Sequence, residues 1–372
     1  MMLFRRFLSS TRLFPLMIGF IFLAPSAWAQ TAPPAPSEPP TYTLAGIDIF
    51  GATKTPKSVI LGIVDTKLGT VITPAVVVAL DQKLRNSGKF AYSQVSSTDV
   101  GNRKSYLSVD VVEKGNEQRL DFYPAPTGSV DVPQSLLDWV RRYEKASFQL
   151  FQVKPREMKD INDGHYLDAD EGLRQYQEKM LEMVPPNYDV LVKALREDKD
   201  PVKRAECATL LGYSKDKKAV IIPLEGALKD PVVEVRASAA RSLVPIAYLS
   251  SHTAVPFPLE PLLEMIHYPT ASDRTKAVAV MLQLSSDPIY HAPIREQAGG
   301  ILVEMAASHL PAQMERSLTL LSIITGEPYG RDLAKWEAWW KAQKAGTWKP
   351  PKPPEPPKKK DPAAKPPSSV KS

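Results

Sequence analysis

Between residues 191 and 281 the chain writes one helix pair three times, and no other feature constrains its fold as much. Residues 191–195 (Leu-Val-Lys-Ala-Leu) return as 224–228 (Leu-Glu-Gly-Ala-Leu) and, more loosely, as 262–266. Each copy leads through a turn into a second amphipathic run that opens on arginine: Arg204-Ala-Glu-Cys-Ala, Arg236-Ala-Ser-Ala-Ala and Arg274-Thr-Lys-Ala-Val. The arginines stand 32 and then 38 positions apart, and the surplus fits an insertion in the Pro-rich loop at 255–258. One helix pair cannot bury its apolar face, whereas stacked copies share a continuous core, so this period predicts an α-solenoid. Asp200-Pro201 and Asp230-Pro231 set a capping carboxylate before a residue without an amide hydrogen, a consistent helix start.

These motifs, above all Asp230-Pro231-Val-Val-Glu-Val-Arg236-Ala, resemble HEAT repeats. The resemblance implies that Arg204 and Arg236 bond to neighbouring turns as a stacking ladder; the other use for such arginines is to line a groove for acidic peptides. Beyond Met281 the repeat decays into runs at 294–308 and 314–324 and a last helix opened by Asp332. There Leu333, Trp336, Trp339 and Trp340 fall at helical spacing, which serves either to close the far end of the solenoid or to make a ligand platform.

Upstream the period changes. Leu44, Ile47 and Ile49 make a strand closed by Gly51; helical runs follow at 56–63 and 74–87, the second carrying Val77, Leu80 and Leu84; strands return at 92–100 and 106–113. This order resembles a POTRA domain over roughly 41–114, on Ile47-x-Ile49-x-Gly51, Ile60, Gly69, Gly88-x-Phe90 and Leu107-x-Val109-x-Val111-x-Glu113, with Ala52 where that family often has Asn. The resemblance implies a small sheet with two helices on one face and an unpaired edge. Such an edge either accepts an extended segment by strand addition or is solvated and blunted by charge. POTRA domains usually precede an outer-membrane β-barrel, but the alternating ten-residue segments of a barrel are missing from the helical sequence that follows.

The fold class is therefore α+β followed by all-α: a small β-α-α-β-β domain, then a solenoid of HEAT-like helix pairs. Residues 41–116 form the first domain, 117–186 a connecting segment with helices at 134–145 and 170–184, and 187–345 the solenoid. In the second connecting helix Asp170 is the N-cap and Leu173, Tyr176, Met180 and Met183 the apolar stripe.

Residues 1–29 carry Arg5, Arg6 and Arg12, an apolar run at 14–24 and Ala27-Trp28-Ala29, the pattern of a cleaved secretory signal. Residues 30–40 are a Pro-rich linker, and 346–372 a Lys- and Pro-rich tail without apolar content to bury. The two ends hold so much of the +6 charge that the chain between them is slightly acidic, which removes the footprint expected of a nucleic-acid binder. The single cysteine, Cys207, excludes an intramolecular disulfide and sits at a small core position of the repeat.

No nucleophile elbow, phosphate loop or zinc spacing is present, and His165, His252, His267, His291 and His309 are dispersed. Asp160, Asn162 and Asp163 with Asp168 and Asp170 come nearest to a metal loop, but His165 stands where a calcium loop needs glycine; 160–171 reads as a solvated acidic connector. The expectation is thus a non-enzymatic adaptor, without cofactor or metal, in the periplasm or on the periplasmic face of the outer membrane, binding protein partners such as outer-membrane or secreted polypeptides. Two alternatives stand beside it: an envelope enzyme using scattered groups such as His165, and a tether whose basic tail attaches to an anionic wall or membrane surface.

Overall fold

The computed structural model describes residues 41–151, 158–160, 163–253 and 255–351. The expected signal, the linker and tail residues 352–372 lie outside them.

Strand β1 (Tyr42–Phe50), helix α1 (Lys57–Val64), the short strand β2 (Val71–Ile72), helix α2 (Pro74–Asn86) and strands β3 (Phe90–Asp99) and β4 (Lys104–Glu113) form the first domain. The sheet runs β2-β1-β4-β3, with β1 parallel to β4 and β3 antiparallel to it. Alternation turns Leu107, Val109 and Val111 of β4 to one face, where they meet Ile60, Val64, Leu80 and Leu84 of the two helices. Two residues fix the entry to α1. Gly51 has φ +83°, and a Cβ there would sit 2.1 Å from the carbonyl oxygen of Val111, so no other residue fits. The Glu113 carboxylate closes the same corner by accepting from Thr53 Oγ1 (2.6 Å) and from the amides of Thr53, Lys54 and Thr55. Burial by itself would raise its pKa, but these hydrogen bonds hold it down to about 2.

After β4 the chain forms helix α3 (Gln134–Phe151), a two-stranded ribbon of β5 (Met158–Asp160) and β6 (Leu167–Asp168), and helix α4 (Glu171–Met183), whose N-cap is Asp170 as the sequence predicts. The solenoid follows as α5 (Tyr188–Glu197), α6 (Pro201–Leu211), α7 (Lys217–Gly226), α8 (Val233–His252), α9 (Glu260–Met265), α10 (Ala271–Leu284), α11 (His291–Ala306), α12 (Pro311–Thr325) and α13 (Leu333–Lys344). The second helices of the pairs, α6, α8, α10 and α12, pack against one another in series, and α3 extends that layer by lying on α6. The first helices α5, α7, α9 and α11 meet one another far less, so the second helices make the inner, concave layer. The surplus between the second and third arginines is spent differently from the expected loop insertion: α8 runs for 20 residues against 11 in α6, and only then does the chain reach Pro256 and Pro258.

Sheet and solenoid belong to one compact unit spanning 41 onward. The second face of β4, Ser108, Asp110 and Val112, is polar by composition yet buried. The solenoid covers it, so the sheet is sandwiched between its own helices and the repeats.

Candidate functional site

Each second helix starts with its arginine pointing along the row of turns. Arg204 donates Nη1 to the carbonyl of Asp198 in its own turn (2.8 Å) and Nε and Nη2 to the two oxygens of Asp230 in the next (2.7 and 2.9 Å). Arg236 repeats this with the carbonyl of Asp230 (2.8 Å) and both oxygens of Asp273 (2.9 and 2.8 Å), under the ring of Phe122. Both guanidinium groups are buried and fully engaged, so they form a ladder and not a peptide groove.

The third rung leaves the solenoid. Arg274 donates Nη1 to the Pro269 carbonyl (2.7 Å), but its Nη2 reaches Asp110 of β4 (2.6 Å), and its guanidinium lies 4.0 Å from the centre of the Phe50 ring. Burial raises the Asp110 carboxyl pKa, and Arg274 works against that shift. Further along, Asp48 of β1 accepts from Ser308 Oγ (2.6 Å) and from the His309 amide, with His309 Nδ1 2.6 Å away. Residues 117–133 then run back over the turns as a strap. Arg119 Nε donates to the His267 carbonyl (2.5 Å), the Tyr123 amide to Lys229 (2.8 Å), and Gly128 bridges Asp198 while accepting from the Lys199 amide (2.8 Å). At Gly128 a Cβ would lie 2.7 Å from the Glu197 carbonyl oxygen, so the strap needs glycine to come this close. Nothing in the sequence between 114 and 133 signals this path.

Two surfaces remain for partners. One is the outer edge of β3, which no further strand covers among the described residues. The Val95 amide points out along this edge and is taken by Asp81 Oδ1 of α2 (2.8 Å), whose other oxygen accepts from Arg85 Nε (2.6 Å). A charged side chain thus blunts the middle of the edge, while Ser97, Thr98 and Asp99 stay exposed at its end. The other surface is the concave layer. At its start α3, α6 and α8 enclose a cleft of about 550 Å³ lined by Glu144, Phe148, His165, Tyr213, Arg241 and Pro245.

The remaining sequence candidates fall elsewhere. His165 is buried against Tyr213, with Nδ1 3.3 Å from the Asp163 carbonyl. Asp168 accepts from Tyr143 and Asp170 caps α4, while the side chains of Asp160 and Asn162 lie outside the described residues; among those described, no group of three metal-ligating side chains comes together. The Cys207 thiol is buried, and burial pushes its pKa up to about 12, which disfavours the thiolate. Trp336 and Trp339 are buried edge to face and Trp340 is half-buried beside them, packed as a closing plug with Trp336 Nε1 donating to Gly330.

Residues 42–114 match the POTRA family, described as a surface antigen variable number repeat, and residues 188–287 match the family of HEAT repeats. A search of curated proteins finds no match. The chain therefore carries a POTRA domain followed by HEAT repeats. Domains of both kinds mediate protein–protein interactions, which makes this the architecture of a scaffold. POTRA domains occur in periplasmic and envelope proteins, and among the described residues no helix is long and apolar enough to cross a membrane.

Proposed function

We propose that this protein is a non-enzymatic adaptor of the bacterial cell envelope, exported by residues 1–29, which holds one polypeptide in its concave layer and pairs a second, extended segment with the free end of β3. The observation that carries the reading is the Arg274–Asp110 rung. It fixes two protein-binding modules in one body, so two chains can be held in a set relation without chemistry or cofactor. Outer-membrane or secreted polypeptides suit it as clients, because they cross the envelope extended and offer unpaired backbone.

The two modules are not beads on a flexible thread. Separated halves would each expose buried, paired charges, so the test belongs on the full chain. Photo-crosslinkers placed at Ser97 on β3 and at Thr319 on α12, both exposed, are expected to capture polypeptides from intact envelopes. Recovered mature protein is expected to begin at Gln30. Silence at both positions, with turnover of a small substrate by the purified protein, would sink the adaptor reading.

A further inference from the structure

Along the turns every arginine of the repeat has a carboxylate. In the concave layer the pairing stops after Arg141 of α3 and Glu206 of α6. Arg241 on α8, Lys276 on α10 and Arg316 on α12 lie on successive inner helices, each on a side of its helix that is not closed off by the core. None of the three forms an ion pair among the described residues, and the one side-chain partner of Arg241 is the neutral Ser238 Oγ at 3.0 Å. They stand close enough to act on one another: Lys276 is pushed down to about 8, first by burial and then by Arg241 and Arg316. Glu144 on α3 feels Arg241 but makes no bridge with it. Three like charges without counter-charge, Arg241 exposed and Lys276 and Arg316 half-buried, oppose one another, and an anion brought from outside relieves them.

The spacing says what kind of anion. Packed helices lie about 8–10 Å apart, so the row presents a positive charge at roughly that interval. A polyproline-type chain has 3 residues per turn and rises about 3.1 Å per residue, so side chains three apart recur on one face every ~9 Å. A β-strand instead turns residues i and i+3 to opposite faces. The flanking side chains on α8 and α10, Val244, Tyr248, Ala279 and Leu282, are partly exposed and apolar, suited to the residues between the acids. A nucleic-acid backbone is disfavoured because the Glu144 carboxylate, which forms no ion pair among the described residues, bounds the row on the α3 side.

We infer that the concave row Arg241–Lys276–Arg316 is a docking site for an extended, polyproline-type peptide segment that carries an acidic residue at every third position. This rests on the reading that the solenoid holds a polypeptide, and it names that partner's chemistry.

The test uses the full chain and two dye-labelled peptides of equal composition, one repeating Glu-Pro-Pro and the other with its glutamates clustered at one end. Anisotropy should show the repeating peptide bound about tenfold more tightly, with binding that weakens as salt rises. Combined Arg241→Gln, Lys276→Gln and Arg316→Gln should weaken it by about tenfold or more while the protein melts no lower, since like charges have been removed. Equal binding of both peptides, equal binding of oligo-dT, or undiminished binding by the variant overturns the inference. Because the peptide comparison is made on the unaltered chain, a variant that misfolds does not spoil it. If the peptides fail while the crosslinker at Thr319 still captures envelope polypeptides, the spacing assignment falls alone; if both are silent, the holding role falls with it.

Discussion

The first two rungs of the turn ladder and the third use the same residue at the same place in the repeat, and they end differently. Arg204 and Arg236 each grip both oxygens of an aspartate in the next turn, and Asp230 also accepts from the Val232 amide in the turn before α8, which begins at Val233 and not, as Asp230-Pro231 suggested, at Pro231. The turn ahead of Arg274, Ser308–Leu310 before α12, carries no aspartate. Arg274 takes one oxygen of Asp110, 164 positions back, and its buried Nε finds no partner. The stack continues into α12, but its aspartate ladder does not. Here Asp110 of the POTRA sheet takes the place of the missing aspartate, with poorer hydrogen bonding but an aromatic ring, Phe50, beneath the guanidinium.

The largest effect is expected at an inner rung. Arg236→Ala leaves Asp273, which is fully buried, without its counter-charge and should cost about 3–5 kcal/mol, read as a lower unfolding midpoint. Unchanged stability would show that the ladder does not hold the repeats together. Arg274→Ala should cost less, about 1–3 kcal/mol, because Asp110 can answer by keeping a proton. The folded pKa of Asp110 is raised, so the folded state binds more protons and its stability falls as pH rises through that pKa. The deficit of Arg274→Ala should therefore grow from pH 4 toward neutrality, whereas a flat profile would mean that Asp110 is not the group left exposed to the loss.

Two further substitutions ask whether the sheet must be intact to complete the third rung. Glu113→Gln removes a carboxylate held at about 2, well below its ordinary value. Such a group contributes stability above its unfolded pKa and loses it as pH falls through the folded one. Wild type and variant should differ by roughly 1–3 kcal/mol at pH 7 and converge between pH 4.5 and 2; a gap that persists in acid would point to lost packing instead. The smallest effect, under about 1 kcal/mol, is expected for Asp81→Ala on the partly exposed edge. Its signature is faster hydrogen exchange at the Val95 amide, and unaltered exchange there would show that Asp81 does not guard the edge.

The helix pairs were legible because Leu-x-x-Ala-Leu and the arginines repeat, and the sheet because Leu107, Val109 and Val111 alternate and the glycines mark its corners. The second face of β4 was not. Ser108 and Asp110 read as a solvent face by type, and only pairing with Arg274 makes their burial tolerable. The strap escaped for another reason. Its order comes from backbone groups of distant turns, and Tyr123-Pro-Ala-Pro carries no period of its own. The concave cations hid because Arg241 and Lys276 stand at different offsets from their repeat arginines and α12, which carries Arg316, has no repeat arginine, so no alignment of the units brings them into register.

The strap also fixes an order of events. It leaves the sheet at the third turn, passes the second at Tyr123 and reaches the first at Gly128, so the part of the chain made first must wait for the part made late. Asp110 meets Arg274 across 164 positions, and Asp48 meets His309 across 261. Closing so long a circuit costs conformational entropy before any contact returns it, and topologies ruled by distant contacts fold slowly. Until residues 274–309 are in place, the two aspartates remain hydrated and the strap has nothing to lie on. The repeats, tied only to their neighbours, can form while the circuit is still open, and the step that joins the first strand to the twelfth helix is the one that sets the pace.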